Sequence, residues 1–332
     1  MLVRSLEFIY VLLVGVFMVS AQKITMNFPA FGGKAYEFVI FRGEEYKVLL
    51  QDTIPKDGKF TIELPKAYSP YEGMSRWLLR TEEGGGLDMY IPGHDFGVSC
   101  ESSTPSESTI FYTNNTGNTE LNRLYKEQES ILNRYQAMIL SKRVFGKEYK
   151  NYGLFEQEYE SQRKSYLDFQ QKLSSRGDYI SDFLRIVNIT VGQGTILTED
   201  EKKKAENISM YISNELNWDR LYTSGHWLGI ISSWVDIECK VLQDKKSFVK
   251  EFNVIGNKLE EKKYGEFAAR VAHYLKSQNR EDYIAALYPE VFRSGKVKNY
   301  EGFLELYKEE GEKISKNMLK EKGLKRRERS KK

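Results

Sequence analysis

The side chains able to do chemistry are few: Cys100 and Cys239, His94, His226 and His273, and the carboxylates Asp219, Asp236 and Glu238 near His226 in sequence. Two cysteines suggest thiol–disulfide exchange, which needs an accessible thiolate and a second thiol close enough to resolve the mixed disulfide. Here they lie far apart and neither belongs to a C-x-x-C pair. The expected state is two buried free thiols, with a structural disulfide as the alternative. Each also follows or precedes a glutamate, Glu238 or Glu101, and a neighbouring carboxylate raises a thiol pKa. A histidine among carboxylates suggests acid–base work. His226, however, directly precedes Trp227 at the head of an apolar helical stripe, the setting of a structural or surface histidine, so no catalytic residue is assigned. No histidine stands three to five residues from another histidine or a cysteine, so neither a metal nor a cofactor is expected.

Two glycine-rich stretches fail as phosphate loops. Glu82 to Gly86 precedes a strand and lacks the lysine and helix start such a loop needs, so it reads as a flexible turn. Gly192 and Gly194 supply two glycines of a dinucleotide fingerprint, but Leu197 stands where the third belongs and helix precedes it where a strand is required. Aromatics offer a different chemistry, a platform for glycan or peptide. Among Trp77, Trp218, Tyr222, Trp227 and Trp234, the spacing assigns Trp227 and Trp234 to a core. Trp218 and Tyr222 fall outside that stripe and are the expected exposed pair. With His226 they form the candidate contact for a ligand or partner.

The stripe belongs to the segment around which the chain is organised, Asn217 to Cys239, which holds three of the four tryptophans. Trp227, Ile230, Ile231, Trp234, Val235 and Glu238 share one helical side, and so much apolar surface demands partner helices. Before it come two regions of different period. From Gln22 to about Tyr112 the pattern alternates, as in Ile24, Met26, Phe28 and in Phe60, Ile62, Leu64, with Asp57-Gly58 supplying a tight hairpin turn. From Gly117 the period is helical. Leu121 to Ile139 and Phe155 to Leu173 predict two long helices in an antiparallel hairpin joined across Ser141 to Gly153. A third helix is predicted over Tyr179 to Val187, and Thr198 with Glu201 reads as a capping box that opens a further series. The predicted fold class is therefore α+β, an antiparallel β sandwich or open barrel followed by a mostly antiparallel α-helical domain. The expected boundaries are a β domain over 22–115 and a helical domain over 116–315.

Charge excludes one function class. The formal +3 is made by the end of the chain, where Lys316 to Lys332 carries nine Lys or Arg against Glu321 and Glu328 and leaves −4 on the rest. A nucleic-acid protein spreads basic charge over its folded surface, so nucleic acid is not an expected partner. Residues 316–332 read as a solvated basic tail. At the other end, Arg4, an apolar run from Phe8 to Val19 and the small residues Ser20 and Ala21 read as a secretory signal peptide over 1–21, cleaved after Ala21. The run is shorter than the ~20 residues of a membrane span, and no later stretch could span, so no stable membrane span is expected after cleavage.

Three segments stand out within residues 24 to 310: DTIPKDGKFTIELP at Asp52 to Pro65, IFYTNNTGNTELNRL at Ile110 to Leu124, and LYTSGHWLGIISSWVDI at Leu221 to Ile237. With the order of parts, they resemble a large family of envelope proteins of Bacteroidetes-type bacteria, the thioredoxin-like thiol-disulfide oxidoreductases of the alkyl hydroperoxide reductase and thiol-specific antioxidant type. In that family such a β domain and helical spacer precede the catalytic module, which would open near Gly311. Here the sequence turns basic instead. The resemblance therefore implies a non-catalytic periplasmic or secreted accessory protein, with an unknown protein or small ligand of the envelope as partner. Two rival expectations stand beside it: a truncated member of the oxidoreductase family lacking its catalytic domain, and a glycan- or peptide-binding envelope module.

Overall fold

A computed structural model describes residues 21–82 and 84–316; the expected signal peptide before Ala21 and the expected basic tail beyond Lys316 lie outside the described residues. Eight strands come first: β1 (Lys23–Asn27), β2 (Ala35–Arg42), β3 (Glu45–Thr53), β4 (Lys59–Glu63), β5 (Glu72–Leu79), β6 (Gly86–Pro92), β7 (Phe96–Ser99) and β8 (Phe111–Thr113). They form two four-stranded sheets, ordered β4-β1-β7-β8 and β3-β2-β5-β6. The α+β class expected from the sequence is the observed one. One pairing departs from the antiparallel pattern, because β1 runs parallel to β7. The chain leaves the first sheet after β1, pairs β2 with β3 in the second, returns to the first for β4, completes the second with β5 and β6, and ends in the first with β7, beside β1, and β8.

Alternation places the sandwich core. Ile24, Met26 and Phe28 point inward opposite Phe38, Ile40 and Trp77, all buried, and the Phe28 and Trp77 rings sit 4.7 Å apart. Gly58, at the tip of the predicted Asp57-Gly58 turn, has φ +75, which glycine adopts without a Cβ penalty. β2 is buried on both faces. Tyr36, Phe38 and Ile40 face the other sheet, while Phe41 packs with the helices. The second sheet is thus a middle layer, covered on one side by the first sheet and on the other by helix.

The helices are α1 (Gly117–Phe145), α2 (Tyr152–Arg176), α3 (Tyr179–Thr190), α4 (Glu201–Met210), α5 (Trp218–Tyr222), α6 (Trp227–Asp236), α7 (Lys245–Lys258), α8 (Glu261–Ser277) and α9 (Glu281–Ser294), with a last helix over 305–316. α1 starts where the sequence period changes, and α1 and α2 form the expected hairpin through a shorter connection, 146–151. A buried reciprocal amide pair ties the hairpin to α3: Gln128 Nε2 donates to Asn188 Oδ1 at 2.8 Å and Asn188 Nδ2 donates to Gln128 Oε1 at 2.7 Å. The capping box is corrected. Asp200 is the N-cap of α4 and accepts from the Lys202 and Lys203 amides at 3.0 Å, while Thr198 Oγ1 accepts from the Asp200 amide instead. Asp200 holds the extended backbone an N-cap needs, and its carboxylate reaches the first-turn amides directly.

The turn between α5 and α6 joins the sandwich to the helices. The Thr223 carbonyl accepts from the Met74 amide at 2.9 Å, from Tyr179 Oη at 3.0 Å and from Tyr71 Oη at 3.3 Å, and the Gly43 amide donates to the Tyr222 carbonyl at 2.7 Å. Gly43 has φ +62, and a Cβ there would meet Tyr222 Cε2 at 2.5 Å and the Glu266 carboxylate. Gly43→Ala is therefore expected to loosen this joint and to cost about 1–3 kcal/mol through strain and forced displacement. A urea midpoint equal to that of the parent chain would refute the close approach.

Candidate functional site

His226 is placed by the same turn. Ser224 Oγ caps the chain by accepting from the His226 amide at 3.0 Å, and Gly225 turns it with φ +80. A Cβ on Gly225 would lie 3.2 Å from the Phe41 ring, so the turn needs glycine for its conformation and for this approach. The imidazole then faces a cleft of ≈ 350 Å³ between the middle sheet and the helices. Phe183 packs beside it, with ring centroids 5.6 Å apart. Phe41, Tyr46, Met74 and Leu228 supply the remaining apolar wall. Across the cleft Arg76 holds Asp88 with two hydrogen bonds, 2.6 Å and 2.7 Å, which fixes both ends of a charged rim.

Its surroundings disfavour the charged form of the histidine. Burial lowers its pKa first, the Arg76 guanidinium lowers it further, and Asp88 only partly opposes them. Neither ring nitrogen bonds to a described residue. A neutral imidazole has one donor and one acceptor nitrogen, so both functions are available to a bound molecule. The carboxylates near it in sequence are elsewhere: Asp219 pairs with Lys263, Asp236 accepts from Gln278 Nε2 at 2.7 Å, and Glu238 is buried. Among the described residues no carboxylate bonds to His226.

The expected exposed pair is corrected. Trp218 and Tyr222 are 3% and 4% exposed. α5 lays Trp218 edge-on between Trp227 and Phe267, with centroids 5.5 Å and 5.3 Å away, and the Trp218 indole donates to the Ile212 carbonyl at 3.2 Å. Tyr222 packs edge-on against Trp227 at 5.4 Å and donates to Glu266 Oε1 at 3.2 Å. Of the three candidate contacts, then, His226 lines the apolar cleft, Tyr222 borders a separate polar one beside Arg42 and Lys263, and Trp218 is core. Sequence reasoning missed Phe41, Tyr46 and Arg76, which come from strands about 150 to 185 residues earlier.

A second chemistry-bearing group is Glu238, which stands on the Trp227 stripe and beside Cys239 in the sequence. Glu238 is fully buried in a π-helical turn, Ile237–Leu242, and Ser209 precedes another, Tyr211–Glu215. Ser209 Oγ lies 2.5 Å from Glu238 Oε1 and 2.6 Å from Glu251 Oε2. A hydroxyl has one proton to give, so one of these contacts must be supplied by a carboxyl proton. Glu238 is the holder: burial, then the nearby Glu251 and Asp244, push it up to about 7 against the opposing Ser209 bond. Glu251 is anchored as the acceptor by the Trp234 indole at 3.1 Å. The two thiols sit in different cores, Cys100 between the sheets and Cys239 among the helices, and both are free. Burial pushes Cys239 up to about 11.

Among the described residues no group of three metal-ligating side chains comes together, and no helix is long and apolar enough to cross a membrane. Comparisons with protein-family models, with curated proteins and with solved structures find no match to this chain.

Proposed function

We propose that the chain is a non-catalytic binding protein of the bacterial envelope, an accessory or scaffolding component, and that it binds through the His226 cleft. The observation that carries the reading is an imidazole whose charged form is disfavoured and which has no partner among the described residues at either nitrogen, set in an aromatic wall with a fixed ion pair at the rim. Ligand sites are commonly of this make, mostly apolar with a few placed polar groups. The occupant that fits is a small uncharged aromatic group bearing an amide or hydroxyl, such as a tyrosine or tryptophan side chain of a peptide. The Arg76 charge is already satisfied by Asp88, which disfavours an anionic ligand. Two buried thiols in separate cores, one with a raised pKa, favour binding over thiol exchange.

The chain has three histidines, so its imidazole resonances can be assigned by single substitution. Titration with N-acetyltyrosinamide is expected to shift the His226 ring signals saturably, and Leu228→Ala with Tyr46→Ala to weaken the effect at least tenfold. A chitooligosaccharide serves as the second arm. Shifts confined to His94 or His273, or none up to the solubility limit of both probes, would sink the reading.

A further inference from the structure

The far end of the α1–α2 hairpin is built unlike the rest of the surface. Leu140, Val144 and Phe145 on the last turns of α1 and Leu154 on the first turn of α2 are 59%, 67%, 49% and 62% exposed. Phe145, Tyr149 and Phe155 form one ring cluster, with centroids 4.6 Å, 5.4 Å and 6.0 Å apart.

No hydrogen bond or ion pair from a described residue of the body reaches it. Tyr159 Oη bonds Glu199 at 3.1 Å and Arg163 Nε bonds the Leu197 carbonyl at 3.0 Å, and among the described residues these are the outermost hydrogen bonds from α2 to the body. Tyr135, stacked on Tyr159, is the matching position on α1. Ten residues of helix separate Tyr135 from Phe145, roughly 15 Å at the α-helical rise. Across 140–157 the described hydrogen bonds and ion pairs stay inside the hairpin, including Lys142 to Glu156 at 2.9 Å.

Charge separates tip from body as well. Residues 143–155 hold Arg143, Lys147 and Lys150 against Glu148 alone, whereas the rest of residues 21–315 carries a net −6. Arg143, Lys147 and Lys150 are exposed and form no salt bridge with a described residue.

We propose that this tip docks on an anionic lipid surface, with the Leu140, Val144, Phe145 and Leu154 side chains entering the interface and the three cations meeting lipid phosphates. Aromatic and aliphatic side chains flanked by Lys and Arg are what the headgroup boundary accepts. Basic residues gain attraction there from the negative surface potential, and the acidic body is held away by the same field. A folded protein is the poorer match. Two helix ends, each about 10–12 Å across, present a convex face on the order of a few hundred Å², short of the ~800 Å² per partner of a stable protein interface. A bilayer wraps a convex tip without needing a complementary pocket.

The test reads the tip itself, so the leader and the basic tail cannot imitate the result. Asn151 is exposed in the connection, while Cys100 and Cys239 are 0% and 3% exposed. Asn151→Cys in the full chain, labelled with an environment-sensitive nitrobenzoxadiazole group, is mixed with phosphatidylglycerol or phosphatidylcholine vesicles. The expected result is a blue-shifted, brighter emission with phosphatidylglycerol only, reduced by salt. Arg143→Gln with Lys147→Gln and Lys150→Gln, and separately Phe145→Ser with Leu154→Ser, should each weaken partition at least tenfold while leaving the helical circular dichroism unchanged. An unmoved label on vesicle-bound protein would overturn the proposal, and so would equal partition of parent and variants. A concentration-dependent shift without lipid would assign the tip to a second copy of the chain instead.

Discussion

Trp234→Ala should lower the unfolding free energy by about 3–5 kcal/mol, the usual cost of truncating a packed tryptophan. Its ring stacks on Phe248 at 4.8 Å and its indole holds Glu251, so the change opens a cavity and also releases the acceptor end of the Ser209 bridge. Trp218→Ala is expected to cost a comparable amount, although the sequence pattern places that residue outside the stripe. It fills the space between Trp227 and Phe267 and satisfies the Ile212 carbonyl. Phe111→Ala, at a 63% exposed position, should stay within about 0.5 kcal/mol of the parent and serves as the control. Urea midpoints decide the matter: if Trp218→Ala behaves like Phe111→Ala, the packing described around α5 is wrong.

The second large effect is one of pH. Glu238 keeps its proton in the fold up to about 7, whereas its ordinary carboxylate value is 4.5. Between those values the native chain binds a proton that the unfolded chain has released, so stability falls as pH rises through that window and stays low above it. Each pKa unit corresponds to about 1.4 kcal/mol, which makes the loss on the order of 3 kcal/mol. Glu238→Gln keeps the shape and still donates to Ser209, so it should be level with the parent near pH 4.5 and more stable at pH 8. The difference between the two urea midpoints, followed from pH 4.5 to 8, isolates this group from every other carboxylate. A difference that stays flat would mean that Glu238 is ionised in the folded chain at neutral pH.

Periodicity made much of the architecture legible. Ile24, Met26 and Phe28 alternate because one strand face meets the other sheet, and Trp227, Ile230, Ile231, Trp234 and Val235 repeat because one helical face meets α8 and its neighbours. Both patterns are local consequences of a long element with one covered side. What failed did so for the converse reason. α5 is five residues long, too short to display a period, so the burial of Trp218 and Tyr222 is decided by Phe267 and Glu266 far along the chain. The parallel pairing of β1 with β7 leaves no local mark either, because both strands read as half-buried in any partner order. Of the candidate site, His226 was visible, but its wall comes from Phe41, Tyr46 and Arg76, and the joining contact is a glycine turn with no side chain to advertise it. Glu238 sat in plain view at a core position; its proton follows only from where Ser209 and Glu251 arrive.

The separate placement of the two thiols has a use of its own. Each core encloses one cysteine, so the molecule carries a built-in pair of clocks for its own opening. A thiol reagent can reach Cys100 only when the sheets part and Cys239 only when the helices do. Labelling of the two at a single common rate would report that the Thr223 joint fuses sandwich and helices into one cooperative unit; two rates would rank the halves by the order in which they let solvent in.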